Sequence, residues 1–265
     1  MKKPYFHLIF SLLVYLLAWG TIVYYLDFFT GYLVPKSIDD GLHWHWSAAL
    51  LWNLCLLLGV GMLYERAQKE SFLRQLPENL ERSTQILIYV GGLMALISLW
   101  RPINLVVYDV RDDALAILMN GIYYWGWWMC LTASFLLDHL AQFGLRQSWG
   151  AKDGLQANLA TPLKTPLLYL LVRHPLYLGI IIFHFATPYL TAGRLLLAIG
   201  LSIYLYRQTE REEVRKLAEF GDRYLTYQKR VPKLFPWQAV SLRAQANKNP
   251  QLDLSHISDF GAEDW

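Results

Sequence analysis

The chain has 265 residues, of which 55% are hydrophobic, 15% aromatic and only 17% charged. This composition argues against a soluble protein and favours one that lies in a membrane. The net charge of +3 is small and gives no indication of a nucleic-acid partner.

Four apolar runs and an apolar hairpin predict helices that cross a bilayer. A bilayer core about 30 Å thick takes about 20 helical residues, and backbone groups in lipid must be satisfied within the helix itself. The first run follows Lys2 and Lys3, as in a signal peptide, but it is long for one and lacks a small-residue cleavage site, so we expect it to be retained. The predicted spans are 6–29, 46–63, 84–100 and 114–137, and the hairpin has arms at 167–189 and 195–206 with a turn near 191–193.

Lys and Arg residues indicate the orientation, because they are enriched in cytoplasmic loops. They concentrate at the N-terminus, in segments 64–83 and 138–166, and in the charged helix that begins at Arg207. The expected fold is an all-α, polytopic membrane helical bundle with roughly five to six transmembrane helices, a C-terminal helical hairpin and a cytoplasmic amphipathic helix. We expect residues 1–237 to form this domain and residues 238–265 to form a flexible tail.

A polar block, Arg173, His174 and Pro175, begins the first arm of the hairpin. Proline lacks the helical N–H and disfavours helix at the residue before it, so we expect a break at His174. Such a break frees backbone groups, which at membrane depth are tolerated only where protein covers them or where they line a cavity. Gly179, one turn further on, permits the close approach of a helix or a ligand. The alternative is a simple proline kink with an interfacial Arg and His.

A second polar block, Glu212 and Glu213, lies on the charged helix after the hairpin. Adjacent helical residues point about 100° apart, so the two carboxylates are expected to face different surroundings. Tyr224 and Tyr227 share a helix face and either contact lipid headgroups or stack on a bound adenine. The alternative for the Glu pair is a solvated helix surface.

His139 closes the fourth predicted span, where the helix C-terminus stabilises a protonated imidazole. It is a candidate base, because histidine is the usual proton acceptor near neutral pH, although a lone interfacial histidine is more often structural. Cys55 and Cys130 lie in apolar runs and are expected as buried thiols. No metal site is expected, with His43 and His45 as a weak alternative.

Motifs in the last third before the tail resemble the integral-membrane methyltransferases typified by isoprenylcysteine carboxyl methyltransferase. The shared residues are Arg173-His174-Pro175-Leu176-Tyr177-Leu178-Gly179, Glu212-Glu213, Phe220-Gly221, Tyr224, Tyr227, Val231-Pro232 and Pro236. Further motifs resemble one branch of this group, the bacterial methanethiol S-methyltransferases. These motifs are residues 33–39, 81–84, 100–103, His139 and 143–147.

The resemblance implies S-adenosylmethionine as the methyl donor, bound at the cytoplasmic end of the hairpin. The residues implied in binding it are His174, Pro175, Tyr177, Gly179, Glu212, Glu213, Tyr224 and Tyr227. The resemblance also implies a small thiol, methanethiol, as the second substrate and dimethyl sulfide as the product. In this hypothesis His139 is the base, and Arg173 or Arg146 stabilises the thiolate, which is a better nucleophile than the thiol.

The sequence departs from that branch at Leu63-Tyr64-Glu65, where the branch typically carries Gln-His-Ser. If this position contacts the thiol, the acceptor is a different one. Two alternatives therefore stay open: a methyltransferase of the same fold that acts on another thiol, a prenylcysteine or a lipid, and a non-enzymatic membrane transport or assembly protein. The expected location is the bacterial inner membrane, with the site on the cytoplasmic side.

Overall fold

The structure of the protein is a computed structural model, and it describes residues 3–31, 34–69, 76–136, 140, 143–148 and 167–235. Its helices are α1 (Lys3–Thr30), α2 (Trp46–Ala67), α3 (Glu78–Leu99), α4 (Asp113–Leu136), α5 (Leu145–Ser148), α6 (Pro175–Phe185), α7 (Ala192–Phe220) and α8 (Asp222–Arg230), with a 3₁₀ turn at Leu167–Leu170. Two short strands are β1 (Val106–Asp109) and β2 (Tyr189–Thr191). The predicted tail, 238–265, lies outside the described residues.

Three of the described helical segments are long and apolar enough to cross a membrane: Phe6–Thr30, Trp46–Ala67 and Leu80–Leu99. Many of their apolar side chains point away from the rest of the protein. Leu51 and Leu58, for example, are each 65% exposed. Lipid is the surrounding in which such an apolar surface is stable, so the first three predicted spans agree with the structure.

The fourth predicted span forms α4, a helix of 24 residues. It is not among the candidate spans, because its Trp and Tyr side chains, which are typical of membrane interfaces, lower its mean hydropathy. It packs closely along α6. A Cβ atom on Gly126 would lie 2.8 Å from the carbonyl oxygen of Gly179, and one on Gly179 would lie 2.6 Å from that of Gly126. The two backbones are therefore in contact, as at small-residue interfaces between membrane helices.

The first arm of the hairpin differs from its prediction. Residues 167–189 form the 3₁₀ turn, a bend and then α6, which has only 11 residues. At about 1.5 Å per residue, α6 is about 16 Å long and is too short to cross a bilayer core of about 30 Å. Pro175 takes the first helical position and Pro188 follows the last, so prolines flank α6 on both sides.

The second arm and the charged helix form one continuous element, since α7 runs for 29 residues. The hydroxyl of Thr191 caps it by accepting a hydrogen bond from the backbone N–H of Arg194. Immediately before α7, β2 pairs antiparallel with β1, with Val106 opposite Thr191. This two-stranded sheet departs from the all-α expectation. The end of β2 and the start of α7 occupy residues 191–193, where the turn of the hairpin was predicted.

The hydrophobic core lies at the end of the bundle where α1 and α3 end. Phe28, Trp100 and Phe183 are buried there among other apolar side chains. Beside this core the carboxylate of Asp39 lies 2.7 Å from Arg194 Nε and accepts a hydrogen bond from the Thr191 hydroxyl at 2.8 Å. These contacts hold the start of α7 in place, and the Glu pair lies toward the other end of the same helix.

Two of the branch motifs also meet at this end. The Lys36 ammonium donates to the carbonyls of Ser98 and Trp100, at 2.6 and 3.2 Å, which satisfies the last turn of α3. Asn53 exchanges two hydrogen bonds with the backbone of Arg101, at 2.7 and 3.0 Å. The motifs at 33–39 and 100–103 therefore join α1, α2 and α3 and lie outside the site described next.

Candidate active site

The chain bends at His174, just before α6. His174 has φ −128° and ψ 65°, and Pro175 begins the helix. The backbone N–H groups of Arg173 and His174 donate to the carbonyls of Pro232 and Lys233, at 2.9 and 3.2 Å. The predicted break is present, and the segment after α8 covers it by accepting hydrogen bonds from two of its backbone donors.

The guanidinium of Arg173 is buried and binds three partners. Its Nε and Nη2 atoms both lie 2.8 Å from Glu213 Oε1. Its Nη1 atom donates to the carbonyls of Gln228 and Val231, at 2.9 and 2.6 Å. A planar, permanently charged side chain suits such a contact. We call Arg173, Glu213 and segment 228–233 the clasp, because together they tie the start of α6 to α7 and α8.

The imidazole of His174 lies between the two carboxylates. Its Nε2 atom is 3.3 Å from Glu213 Oε1, and its Nδ1 atom is 3.6 Å from Glu212 Oε2. The adjacent Glu side chains diverge as their helical spacing predicts. Only 3% of the His174 side chain is exposed. The contact between the two polar blocks is therefore shielded from water.

Glu213 belongs to the clasp and is anionic. Burial favours its neutral form, but hydrogen bonds from His174 and Arg173 and the charges of Arg173 and Lys233 outweigh burial and lower its pKa to about 2. The Lys233 ammonium lies 3.5 Å from Glu213 Oε2, and the Gln228 amide donates to the same oxygen at 3.4 Å. Its charge is thus neutralised within the protein.

Glu212 faces the interior of the bundle instead. The hydroxyl of Tyr177 donates to Glu212 Oε1, and both side chains line a cavity. Burial opposes ionisation of Glu212, but hydrogen bonds from His174 and Tyr177 and the nearby charge of Lys216 outweigh it and lower the pKa. Glu212 is therefore a carboxylate anion at neutral pH and is able to bind a cation or a hydroxyl group.

The cavity has a volume of about 610 Å³, which is within the range of roughly 300–1,000 Å³ usual for small-molecule sites. What we call its polar end is lined by Gln68, Arg82, Gln85, Glu212 and Arg215. What we call its apolar end is lined by Tyr25, Leu96, Trp127, Phe183 and Leu197. The cavity therefore changes from charged to apolar along α7, and it suits a polar ligand next to an apolar one.

The side chain of Gln208 also lines the cavity, one turn before Glu212. Its amide oxygen is buried and has no hydrogen-bond partner within the described part of the chain. An unpaired buried acceptor costs about 1–3 kcal/mol. A ligand N–H group in the cavity would recover that free energy, so the lining fits a ligand that carries donors.

Curated proteins match this chain over most of its length. Methanethiol S-methyltransferase 1 of Bradyrhizobium diazoefficiens is 35% identical over 236 residues, which are 87% of this chain and 82% of the relative. The methanethiol S-methyltransferase of Mycobacterium tuberculosis is 35% identical over 239 residues, 86% of this chain and 93% of the relative. The chain belongs to the methanethiol S-methyltransferase family.

The family resemblance predicted from the sequence motifs is confirmed by these matches. Nurim of Xenopus laevis is also similar, at 25% identity over 74% of this chain and 76% of the relative. No protein-family model matches the chain. No solved structure matches it either.

In this member of the methanethiol S-methyltransferase family, the predicted site residues occupy three places. Tyr177 and Glu212 line the cavity, whereas His174, Pro175 and Glu213 belong to the bend and the clasp beside it. Tyr224 is fully buried, the Tyr227 hydroxyl donates to the Tyr169 carbonyl at 2.6 Å, and Gly179 packs against α4. The proposed adenine contacts of Tyr224 and Tyr227 stay predictions.

Three residues singled out in the sequence lie wholly or partly outside the described structure. His139 and Pro236 are not among the described residues. Arg146 lies in α5, but its side chain is not described. The roles expected of His139 and Arg146 toward the thiol therefore stay predictions, as does a role of Arg173 in stabilising the thiolate.

Sequence reasoning missed several polar residues that line the cavity, although a signal was present. On α3, Arg82, Gln85 and Tyr89 recur at i, i+3 and i+7, which puts them on one face of the helix. On α7, Tyr204 and Gln208 precede Glu212 at intervals of four residues. Polar residues that recur at helical spacing along one face were therefore the signal for an internal site.

Proposed function

We propose that the protein transfers a methyl group from S-adenosylmethionine to methanethiol and releases dimethyl sulfide. One observation supports this most: a cavity joins a carboxylate-bearing polar end to an apolar end. The relatives of the chain, which are named for methanethiol S-methylation, supply the reaction class.

The polar end has the groups that S-adenosylmethionine requires. When bound, this donor supplies an electrophilic methyl group on a sulfonium centre. The Glu212 carboxylate complements its ammonium group or ribose hydroxyls, and the Arg215 guanidinium complements its carboxylate. The unpaired oxygen of Gln208 suits an amino group of the adenine. Tyr177 orients Glu212 through its hydrogen bond.

The apolar end suits a thiol as small as methanethiol. The side chains of Leu96, Trp127 and Phe183 line it with apolar surface, which favours a poorly hydrated sulfur. Methyl transfer in one displacement needs the reacting atoms held about 3–3.5 Å apart and in line. The protein therefore has three tasks: to align the reactants, to exclude water and to take up the proton of the thiol.

The same proposal puts the polar end at the cytoplasmic face of a bacterial inner membrane. It counts α4 and α7 as crossings besides the three candidate spans, and the whole segment from the 3₁₀ turn to β2, of which α6 is the helical part, as the sixth. A volatile, lipid-soluble thiol would then reach the apolar end from the bilayer. The charged donor would enter the polar end from the cytosol.

One residue, Tyr64, favours a second candidate for the thiol that accepts the methyl group. Tyr64, at which the chain departs from the branch pattern, lines the cavity and donates a hydrogen bond to the Tyr89 carbonyl at 2.6 Å. Its ring packs against those of Tyr89 and Tyr204, with centroids 5.0 and 6.0 Å away. A changed side chain in the middle of the cavity suits another small thiol as the substrate of the same reaction.

The test is product analysis with a labelled donor. Purified full-length protein in detergent is incubated with S-adenosylmethionine that carries a trideuterated methyl group, and with methanethiol, ethanethiol or a prenylated cysteine in parallel. Headspace mass spectrometry should detect dimethyl sulfide with one labelled methyl group. Labelled product from ethanethiol or prenylcysteine alone would favour the second acceptor, and no transfer to any thiol would overturn the proposal.

A further inference from the structure

A buried pair of polar side chains lies at the apolar end of the cavity. The Tyr25 hydroxyl and His184 Nε2 are 2.6 Å apart. Tyr25 lines the cavity, whereas His184, only 1% exposed, lies behind it and is enclosed by Phe29 and Phe183. Neither residue belongs to the motifs on which the family assignment rests.

The direction of this hydrogen bond follows from the second nitrogen of the ring. His184 Nδ1 lies 2.7 Å from the Ile180 carbonyl oxygen, which can only accept. Nδ1 therefore carries a proton, and in the neutral ring Nε2 is an acceptor. The Tyr25 hydroxyl consequently donates to His184, and its oxygen keeps lone pairs for a donor in the cavity.

The position of the pair matches the end of the cavity where a thiol would lie. Tyr177, at the polar end, and His184 are both on α6 and are separated by seven residues, or about 10 Å at roughly 1.5 Å per residue. The charged side chains that line the cavity lie at its polar end; they are Arg82, Glu212 and Arg215. Other titratable groups around the pair are Tyr64 on α2, Tyr123 and Cys130 on α4, and the Arg194–Asp39 ion pair beyond Phe29.

We propose that Tyr25 and His184 form the proton relay that ionises the acceptor thiol, an inference that rests on the proposed function. The S–H bond breaks and its electron pair stays on the thiol sulfur, which forms the new bond to the methyl carbon. The thiol proton passes to the Tyr25 oxygen while the Tyr25 proton passes to His184 Nε2. The bond between that carbon and the donor sulfur breaks, and its electron pair stays on the donor.

This relay keeps the net charge of the cavity constant. The donor brings one positive charge, which is lost when its methyl group leaves, and the imidazolium of His184 carries one positive charge afterwards. Separating unpaired charge in a medium of low dielectric is costly, so a step that replaces one cation by another is favoured. After product release the proton returns through Tyr25 to water that enters the cavity.

Glu212 lies at the other end of the cavity from the proposed thiol site, although it is a carboxylate that lines the cavity. Its hydrogen bonds from His174 and Tyr177 stabilise its anionic form and lower its pKa despite the opposing effect of burial. It also lies at the polar end, where it is suited to the donor. Tyr25 touches the thiol and is the catalytic residue of this proposal, whereas His184 acts through it.

The test compares Tyr25→Phe and His184→Gln with the wild type on two acceptors. Phenylalanine keeps the ring of Tyr25, and glutamine keeps an acceptor for the Tyr25 hydroxyl but takes up no proton. With methanethiol we expect kcat to fall by about 10²-fold or more in both variants, the usual size of general-base catalysis. With methaneselenol, which has nearly the same shape and is already ionised at neutral pH, we expect kcat within a few-fold of the wild type.

Two further readouts separate the relay from a structural role. The rate of each variant on methanethiol should rise with pH as the thiol ionises in solution, and the affinity for S-adenosylmethionine should equal that of the wild type. Wild-type kcat on methanethiol in Tyr25→Phe, or equal losses on both acceptors, would overturn the relay while leaving the proposed function intact. A wild type that methylates neither acceptor would overturn both.

Discussion

The two adjacent carboxylates, Glu212 and Glu213, have different surroundings because adjacent residues of a helix point in different directions. Glu212 lines the cavity and is held by the Tyr177 hydroxyl. Glu213 is neutralised by Arg173 and Lys233 inside the clasp. The sequence motif treats them as one unit, whereas the geometry puts one at the cavity and the other in the clasp.

Glu212→Gln should weaken the binding of the methyl donor while leaving the fold intact. The substitution keeps the size of the side chain but removes the charge that faces the polar end, so we expect affinity for S-adenosylmethionine to fall about 10-fold or more. Isothermal titration calorimetry in detergent measures this loss. Glu219→Gln on the exposed face of the same helix is the matched control, and equal affinities in the two variants would contradict the assignment.

Glu213→Gln should instead destabilise the protein. It leaves the buried Arg173 guanidinium without its counter-ion, and breaking a buried ion pair from one side costs about 3–5 kcal/mol. We expect a clear drop in the thermal midpoint in detergent, measured by intrinsic tryptophan fluorescence, and little change for Glu219→Gln. A thermal midpoint of Glu213→Gln equal to that of the control would show that the clasp contributes nothing to stability.

Lowering the pH should destabilise the wild type as Glu213→Gln does, because both remove the negative charge of Glu213. The pKa of Glu213 is lowered from its usual value of 4.5 to about 2, so its stabilising contribution is complete above about pH 4.5 and is lost as the pH falls toward 2. The thermal midpoint of the wild type should therefore decrease across this range by more than that of Glu213→Gln. Parallel pH curves for the two proteins would contradict the assignment.

The part of the site that was predictable from sequence is local. Pro175 implies a break at His174, and adjacency implies that Glu212 and Glu213 diverge; both features are present. The pairing of Tyr25 with His184 joins residues 159 positions apart. The periodicity of apolar and polar residues along one helix does not predict such a contact, because the contact depends on how α1 packs against α6.

At the scale of elements, the contact between α4 and α6 fixes the relative position of two helices that line the cavity. Gly126 and Gly179 face each other across it with no room for a Cβ atom on either. The sequence predicted that Gly179 allows close approach but not which partner approaches. The short length of α6 follows from Pro175 and Pro188, which the apolar run predicted at 167–189 did not take into account. The strand β2 was not predictable, because it depends on pairing with the distant β1.

Gly126→Ala should therefore separate α4 from α6 and reduce stability. Its new Cβ atom would lie 2.8 Å from the Gly179 carbonyl oxygen, and overpacking of this kind costs about 1–3 kcal/mol. Gly121→Ala is the control on the same helix, because nothing lies within 4 Å of its Cβ position. A lower thermal midpoint is expected for Gly126→Ala alone, and equal midpoints would argue against a close contact between the helices.

For the whole molecule, the distribution of charge indicates how the bundle lies in the membrane. Arg66 and Lys69 lie at and just after the end of α2, and Arg82 lies near the start of α3, at the end of the bundle where the cavity is polar. The charged half of α7 lies at the same end. The opposite end carries fewer basic residues, which are Lys36, Arg101, Arg111 and Arg194. Positive charge is therefore concentrated at the polar end, and from the positive-inside rule we expect this end to face the cytoplasm.

This orientation predicts which positions a membrane-impermeant reagent reaches in intact cells. In a background that lacks Cys130 and the exposed Cys55, single cysteines are placed by Leu42→Cys, in the loop between α1 and α2, and by Ala218→Cys, near the end of α7, since both residues are exposed. We expect a charged maleimide to label position 42 from outside and position 218 only in inside-out vesicles. The reversed pattern would put the donor-binding end outside the cytosol, where the cell holds no supply of an adenosyl methyl donor, and would contradict the proposed reaction.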